Sequence, residues 1–232
     1  MNRLLVVVVL VGSVVGVGCN VETTYVFPDA GLAQDAALQS DAPACGPDTY
    51  PCPPYGTAIE NTIEDLTFTG WVDDTADHTP LNNPYRTWGF DYFFQQALTS
   101  GAKYLYLNVS AGWCSVCKVE NGVLPGIAND YRDQGILFAE VLFEDAQSNP
   151  ASADFVKAWA TKYHLNFTVG VDPTFKTGRF FSQAATPANF AISLKDQTLA
   201  GSPVRAMEII FIDTGFVDEA TTRSSLDTLL TP

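Results

Sequence analysis

The sequence predicts an α/β sandwich built around a central mixed sheet and closed by a C-terminal hairpin and a last helix. Segments with strand and helix character alternate from about Thr57 onward. The run Gly135–Phe143 (GILFAEVLF) is almost continuously apolar, which is typical of a buried parallel strand. The chain has 232 residues, 47% of them apolar, which is enough for one ordinary domain with appendages or for two small domains.

The first predicted elements lead up to the middle of the chain. Period-two alternation predicts a strand at Ile63–Trp71, and prolines in a polar stretch predict a loop over Asp73–Thr87. Phe90–Thr99 (FDYFFQQALT) has helical character and is expected to end at Gly101. Lys103–Val109 (KYLYLNV) then predicts a strand.

The second half of the domain continues this alternation. A helix is predicted over Ser115–Tyr131, with a kink at Gly122 and Pro125 because proline removes a backbone hydrogen bond. The apolar strand at 135–143 follows this helix. The remaining predicted elements are a helix at Ala153–His164 capped by Ser152, a strand at Asn166–Val171, a helix at Pro173–Phe181, strands at Ala188–Leu194 and Met207–Ile212, and a terminal helix at Phe216–Leu230.

The N-terminus predicts export. A positive charge precedes the apolar run Leu4–Val17, which is shorter than the about 20 residues that span a bilayer. Residues 1–18 are therefore predicted to be a secretory signal peptide. Gly18-Cys19 resembles the lipobox of bacterial lipoproteins, which implies lipidation of Cys19, although Gly16 stands where that family usually has leucine. Cleavage by an ordinary signal peptidase, which also takes small residues there, is the alternative.

Both alternatives place the chain in the cell envelope, in the bacterial periplasm or anchored at the outer membrane, where disulfides persist. Residues 19–44 are rich in Asp, Ala, Gln and Pro and predict a flexible tether. Residues 45–57 form a turn-rich segment, and residues 58–232 are the predicted folded domain. The formal net charge of −14 disfavours nucleic-acid binding, because an acidic chain repels the phosphate backbone.

Cysteine usage predicts two pairs. Four of the five cysteines remain once Cys19 is set aside, and an even number in an oxidising compartment favours disulfides. Six residues separate Cys45 from Cys52, which predicts a small structural disulfide in the turn-rich segment. The alternative is a second redox pair that exchanges with the first.

The other two cysteines, Cys114 and Cys117, have two residues between them and follow a predicted strand and a short turn. A helix is expected to begin near Cys114, where free N–H groups and the helix dipole stabilise a thiolate. Cys114 is then the exposed nucleophile, and Cys117, on the same helix face, is the buried resolving thiol. A zinc site usually needs a second close pair or suitably spaced histidines. A purely structural bridge rarely spans two intervening residues.

Three motifs resemble one family. A strand followed by W-C-x-x-C-K (Trp113 to Lys118) and a helix resembles the active site of thioredoxin-like proteins. Phe167–Pro173 (FTVGVDP) is similar to the FPVLLDP segment of the TlpA-like, redoxin-type branch of bacterial thiol–disulfide proteins. Ala185–Phe190 (ATPANF) is similar to the PTTF segment of that branch. The resemblance runs from about Ala58 to the C-terminus and implies a thioredoxin-like α/β/α sandwich.

The resemblance also implies an activity, which is thiol–disulfide exchange. Cys114 would attack a partner disulfide and Cys117 would resolve the mixed disulfide. Pro187 would be a cis-proline opposite the cysteines, and with Thr186 and Trp113 it would bind an extended substrate segment. No metal and no cofactor is expected beyond the redox-active disulfide itself. The implied partners are protein thiols and disulfides, together with an unidentified membrane electron donor.

Proton transfer at the pair has no obvious acceptor. Thioredoxin has a buried aspartate six residues before its first cysteine, whereas this chain has Asn108, which cannot accept a proton. Glu120 matches the glutamate of the CKxE segment in the TlpA-like branch and lies at helical spacing from Cys117. Glu140 interrupts a buried strand, where a carboxylate is costly unless it is paired or protonated. One of these glutamates is expected to take the Cys117 proton. The alternative is that Glu120 is a solvated helix residue and that Glu140 lies at the end of the sheet and reaches water.

A nearby carboxylate raises a thiol pKa and so stabilises the disulfide, which favours a reductant over an oxidant. A rival hypothesis from another class is a thioredoxin-fold lipoprotein that binds copper or a partner through the same sulfurs without turnover, since copper(I) prefers thiolates. A peroxidase is disfavoured because the Thr-x-x pattern that normally precedes its reactive cysteine is absent from the sequence.

Overall fold

The structure is a computed structural model that describes Gly46 and residues 48–231. The signal peptide, Cys19, the tether and Cys45 lie outside these residues, so what the sequence predicts for them stays a prediction. None of the helices in the described part of the chain has the length and apolar content that crossing a bilayer requires.

Seven strands form the central sheet, in the spatial order β2-β1-β5-β4-β3-β6-β9. The strands in the described part of the chain are β1 (Thr67–Trp71), β2 (Tyr85–Gly89), β3 (Tyr104–Ala111), β4 (Ile136–Glu144), β5 (Thr168–Val171), β6 (Ala188–Ser193), β7 (Gln197–Leu199), β8 (Ser202–Val204) and β9 (Ile209–Thr214). The pairs β3–β4 and β4–β5 are parallel, and the other neighbours in the sheet are antiparallel. The predicted mixed sheet is therefore confirmed. β7 and β8 form a separate two-stranded hairpin between β6 and β9.

Over the described residues, five α-helices pack on the sheet: α1 (Phe90–Ser100), α2 (Ser115–Asn121), α3 (Leu124–Arg132), α4 (Ala153–Tyr163) and α5 (Glu219–Leu230). The central strand β3 is buried at every residue, which requires cover on both faces of the sheet. α1 ends where the sequence predicts, because Gly101 adopts the left-handed conformation with φ of 77°. The hydroxyl of Ser152 accepts a hydrogen bond from Phe155 N–H and caps α4 as expected.

Three predicted elements were wrong in detail. The loop predicted over Asp73–Thr87 contains the first part of β2, which pairs antiparallel with β1 and buries Trp88. The helix predicted at Pro173–Phe181 is only a 3₁₀ turn, Lys176–Arg179, because Phe175 has a positive φ of 51° and interrupts a regular helix. The terminal helix begins at Glu219 rather than Phe216, since the Asp218 carboxylate caps it by accepting from Thr221 N–H.

The single helix predicted over Ser115–Tyr131 is two helices. α2 ends at Asn121, and α3 begins three residues later at Leu124 with Pro125 in its first turn. Proline is tolerated there because the first N–H groups of a helix have no partner within the helix. The break at Gly122 leaves α2 as a short helix over the carboxyl ends of β3 and β4, where the cysteines lie.

Candidate active site

Cys114 and Cys117 form a disulfide at the N-terminus of α2. Cys114 is the N-cap residue of this helix, and its Sγ accepts a hydrogen bond from the backbone N–H of Cys117 at 3.1 Å. This N–H belongs to the first turn, whose donors have no helical partner and point toward the sulfur. The same donor would stabilise a Cys114 thiolate after reduction of the disulfide.

The disulfide is more buried than the sequence predicts. Cys117 is fully buried, as expected for a resolving thiol, but Cys114 is itself only 4% exposed rather than an open nucleophile. Part of its cover comes from the loop before β6, whose Thr186 carbonyl oxygen lies 3.8 Å from Cys114 Sγ. This loop is therefore one of the segments that limit access to Cys114.

The loop that covers Cys114 contains the Thr186–Pro187 peptide bond, which is cis. The N–H of Gly215 donates to the carbonyl oxygens of both Ala185 and Pro187, each at 2.8 Å. Since Gly215 follows directly after β9, the β9–α5 connection supports the cis-proline loop from behind. Both loops lie at the same end of the sheet as the disulfide.

Three side chains form a polar row across the central strands. Asn108 on β3 is opposite Glu140 on β4 and opposite Asn189 on β6. All three are buried, with relative exposures of 1%, 0% and 1%. The Asn108 side-chain amide donates to Asn189 Oδ1 at 2.7 Å, and its Oδ1 accepts from the Ser110 hydroxyl at 2.6 Å. The sheet register therefore places Glu140 directly beside Asn108.

Glu120 joins α2 to this row. Its Oε2 accepts from the side-chain amides of Asn108 at 3.1 Å and Asn189 at 3.4 Å, and its Oε1 accepts from Val217 N–H at 2.8 Å. Glu120 is 4% exposed, so it is not the solvated helix residue of the alternative hypothesis. Burial raises the pKa of Glu120, while these three N–H donors oppose the rise because they stabilise the carboxylate.

Glu140 has a less favourable environment. Among the described residues, no donor completes a hydrogen bond with either carboxylate oxygen. The nearest polar groups already donate elsewhere: Asn121 to Ser110 Oγ and to the Cys117 carbonyl, and Trp159 to Asn121 Oδ1. Burial raises the pKa of Glu140 from 4.5 to about 8, even though these side chains lie close enough to oppose the rise. Glu140 is therefore protonated at neutral pH.

Trp113 lies between the disulfide and the end of β4. Its indole N–H donates to Glu144 Oε2 at 2.6 Å, and its ring packs edge-on against Phe143. The preceding residue must be glycine, because a Cβ on Gly112 would lie 2.7 Å from backbone atoms of Asp145 and Ala146, directly after β4. The turn before Cys114 is thus pressed against the segment that follows β4.

The second predicted cysteine pair is only partly described. Cys52 is disulfide-bonded, while its predicted partner Cys45 lies outside the described residues. The segment that contains Cys52 is attached to the domain through Tyr50, whose hydroxyl donates to the Ile63 carbonyl at 2.8 Å. Over the described residues, no group of three or more His, Cys, Asp and Glu side chains is arranged to hold a metal ion.

Sequence reasoning missed several residues of the site. Asn189, Ser110 and Asn121 are buried polar side chains in the network around Glu120 and Glu140. Alternation along β3 places Ser110 on the face of Asn108, and Asn189 is two residues beyond Pro187, so both signals were available. No sequence signal identified Val217, because it contributes a backbone N–H from a loop 97 residues away from Glu120.

Solved structures resemble this chain at low sequence identity. One is a candidate thiol:disulfide interchange protein DsbE from Chlorobium tepidum, with 18% identity and a TM-score of 0.52, covering 75% of this chain and 99% of that one. A hypothetical protein from Sinorhizobium meliloti has 16% identity and a TM-score of 0.53, covering 75% and 85%. An uncharacterized conserved protein from Geobacillus kaustophilus has 17% identity and a TM-score of 0.52, covering 75% and 83%.

No protein-family model matches the chain, and no curated protein matches it. At these identities the likeness establishes the fold. The mixed central sheet, the disulfide at the start of α2 and the cis peptide bond facing it agree with the architecture that the sequence motifs predict. The chain therefore has a thioredoxin-like fold, with the Cys114–Cys117 disulfide at the N-terminus of α2.

Proposed function

We propose that this protein is a thiol–disulfide oxidoreductase that exchanges disulfides with partner proteins and acts as a reductant. The main observation behind the proposal is the Cys114–Cys117 disulfide, which lies at the N-terminus of α2. Its Cys114 Sγ is 3.8 Å from the Thr186 carbonyl oxygen of the cis-proline loop. That carbonyl and its neighbours offer backbone groups to an extended partner segment. The DsbE description of the Chlorobium tepidum protein supports the same class.

The exchange proceeds in two displacements. In the reduced protein, the Cys114 thiolate attacks one sulfur of the partner disulfide, and the other partner sulfur leaves as a thiolate. The Cys117 thiolate then attacks Cys114 Sγ, which releases the partner as a dithiol and forms the Cys114–Cys117 disulfide. Two electrons pass from the cysteine pair to the partner. An electron donor, which we place in the membrane, must return them before the next turnover.

Glu120 is the proposed acceptor of the Cys117 proton. It lies one helical turn after Cys117 on α2, and three N–H donors stabilise its charged form. Glu140 is protonated at neutral pH and is therefore not available as a base until the pH approaches about 8. The negative charge of Glu120 also disfavours a thiolate nearby, which supports the reducing direction.

The test combines turnover with trapping. The wild-type protein is expected to catalyse insulin reduction by dithiothreitol, whereas Cys114→Ser is expected to be inactive. Cys117→Ser is expected to remain disulfide-linked to its partner through Cys114 in the native host, because the second displacement cannot occur. The copper-binding alternative replaces this proposal if wild type reduces no insulin and traps nothing while the reduced protein retains copper through dialysis.

We also propose that the protein acts in the cell envelope, anchored by lipid on Cys19, with residues 19–44 as a tether and residues 58–232 as the catalytic domain. The short apolar segment before Cys19 supports this location. Labelling with a radioactive fatty acid is expected to mark the full chain and not Cys19→Ser. If the wild-type protein is exported but carries no fatty-acid label, cleavage by an ordinary signal peptidase is favoured instead.

A further inference from the structure

Glu144 joins two sides of the active site. Its Oε2 accepts a hydrogen bond from the Trp113 indole at 2.6 Å and another from the Gln183 side-chain amide at 2.8 Å. Trp113 directly precedes Cys114, and Gln183 begins the 3₁₀ turn that leads into the cis-proline loop. A single carboxylate oxygen thus connects the turn that carries the nucleophile to the loop that covers it.

The connection continues to the sulfur. The carbonyl oxygen of Gln183 accepts from the Thr186 hydroxyl at 2.7 Å, and the Thr186 carbonyl lies 3.8 Å from Cys114 Sγ. The contacts therefore form a closed path from Cys114 through Trp113, Glu144, Gln183 and Thr186 back to Cys114. A rearrangement of any member would change the width of the cleft beside the sulfur.

We propose that Glu144 is a positioning residue that fixes the spacing between Trp113 and the cis-proline loop, and so determines how tightly a partner protein docks at Cys114. The inference rests on the proposed exchange function and deepens it. One Glu144 oxygen accepts hydrogen bonds from both sides and so holds the two donors at a fixed separation, which suits this role. Without the Glu144 side chain, the cis-proline loop can adopt other distances from Trp113. Binding of a partner must then order the loop, and the entropy lost in this ordering weakens the binding.

The role is separate from the chemistry of the sulfurs. Glu120, the proposed proton acceptor, extends from α2 to Asn108, and the protonated Glu140 lies beside Asn108 in the polar row. Glu144 is at the end of β4, and its side chain contacts Trp113 and Gln183 instead. Removing the Glu144 side chain should therefore weaken docking of a protein substrate while leaving exchange with a small dithiol intact.

Kinetics with two substrates test this separation. Glu144→Ala is expected to raise the KM for insulin about tenfold, a change equivalent to the loss of one to two hydrogen bonds, at unchanged kcat. Its rate of reduction by dithiothreitol should stay within about twofold of wild type. Gln183→Ala should act in the same direction, and the double variant should be no worse than Glu144→Ala, because both changes break one connection. Glu144→Gln should largely restore the KM, since an amide oxygen accepts both bonds.

Gln147→Ala is the matched control. Gln147 is an exposed glutamine in the connection after β4 and takes no part in the path around Cys114. Its KM should equal that of wild type. The inference fails if Glu144→Ala leaves the KM unchanged, if it slows dithiothreitol and insulin equally, or if the effects of Glu144→Ala and Gln183→Ala simply add.

Acrylamide quenching of tryptophan fluorescence gives a readout that needs no partner. Trp71, Trp88 and Trp159 are at most 7% exposed, so quenching reports chiefly on Trp113. Glu144→Ala and Gln183→Ala should each increase quenching, and the increase should vanish in a Trp113→Phe background. A wild type that exchanges with neither substrate refutes the proposed function, and the positioning role is then decided by quenching alone: unchanged quenching in both variants overturns it.

Discussion

Glu140 lies directly opposite Asn108 on the adjacent parallel strand, and both side chains are buried. A protonated carboxyl group therefore neighbours an amide that cannot titrate, under the helix that carries the two cysteines. Glu120 contacts the same amide from above, through Asn108 Nδ2. Two carboxyl groups in different environments thus lie next to Asn108, and their environments separate their proton affinities.

Glu140→Gln should make the protein more stable at alkaline pH. The pKa of Glu140 rises from 4.5 to about 8 on folding, so the folded state holds this proton more tightly than the unfolded state does. Stability is then lost as the pH rises from about 4.5 to about 8, by as much as about 5 kcal/mol at roughly 1.4 kcal/mol per pKa unit. The glutamine variant lacks this loss, which urea denaturation at pH 5, 6.5 and 8 would measure.

Asp133→Asn is a suitable control for that measurement, because it removes an exposed carboxyl group at the end of α3. It should follow the wild-type dependence on pH. Parallel pH curves for wild type and Glu140→Gln would contradict the assignment of a buried, protonated Glu140.

Glu120→Gln should slow the resolving step at pH 7 by about a hundredfold, the lower range for loss of a general base. It should also lower the pKa of the Cys117 thiol, since a neighbouring negative charge is removed. Rapid-mixing measurement of mixed-disulfide decay gives the rate, and the pH dependence of alkylation in Cys114→Ser gives the thiol pKa. Glu140→Gln should change the rate at pH 7 far less. An unchanged rate and unchanged thiol pKa in both variants would remove the glutamates from the mechanism.

Asn108→Asp should destabilise the protein at pH 8 more than at pH 5. The new carboxyl group would lie against Glu120 and opposite Glu140, and neighbouring buried acids cannot all ionise. The pKa of at least one of them would rise further, so stability falls as the pH increases, by about 3 kcal/mol at pH 8. Thermal unfolding across this pH range measures it, with the exposed Asn82→Asp as control. Equal destabilisation at both pH values would show that packing, not charge, is disturbed.

Cys52→Ser should lower stability by about 2 kcal/mol without impairing insulin reduction. Tyr50 holds this segment to the domain through the Ile63 carbonyl and through an edge-on contact with the ring of Phe94. The disulfide of Cys52 thus limits the freedom of a segment that already packs on the domain, away from the Cys114 site. Loss of activity in a folded, thermally stable variant would instead indicate a second redox pair.

Much of the fold is predictable because its signals are local. The apolar run of β4, the glycine after α1 and the serine before α4 each act within a few residues. β2 was missed because its strand character spans only five residues behind two prolines, and pairing with β1 supplies the rest. The helix expected at Pro173–Phe181 does not form, and here the cause is a local interaction. The Asp172 carboxylate accepts from Lys176 N–H and Thr177 N–H and favours a turn.

By itself, the sequence determined the cysteine spacing at a strand-to-helix junction, the absence of an acid at position 108 and the two glutamates that could replace it. Only the tertiary structure decided that three N–H donors bind Glu120 whereas no described residue completes a hydrogen bond with Glu140, and that Glu144 connects Trp113 to Gln183. The physical reason is that burial and hydrogen bonding depend on partners far away in the chain. A glutamate's residue type fixes its ordinary proton affinity, but strands β3, β4 and β6 and the loop at Val217 decide whether it carries a charge.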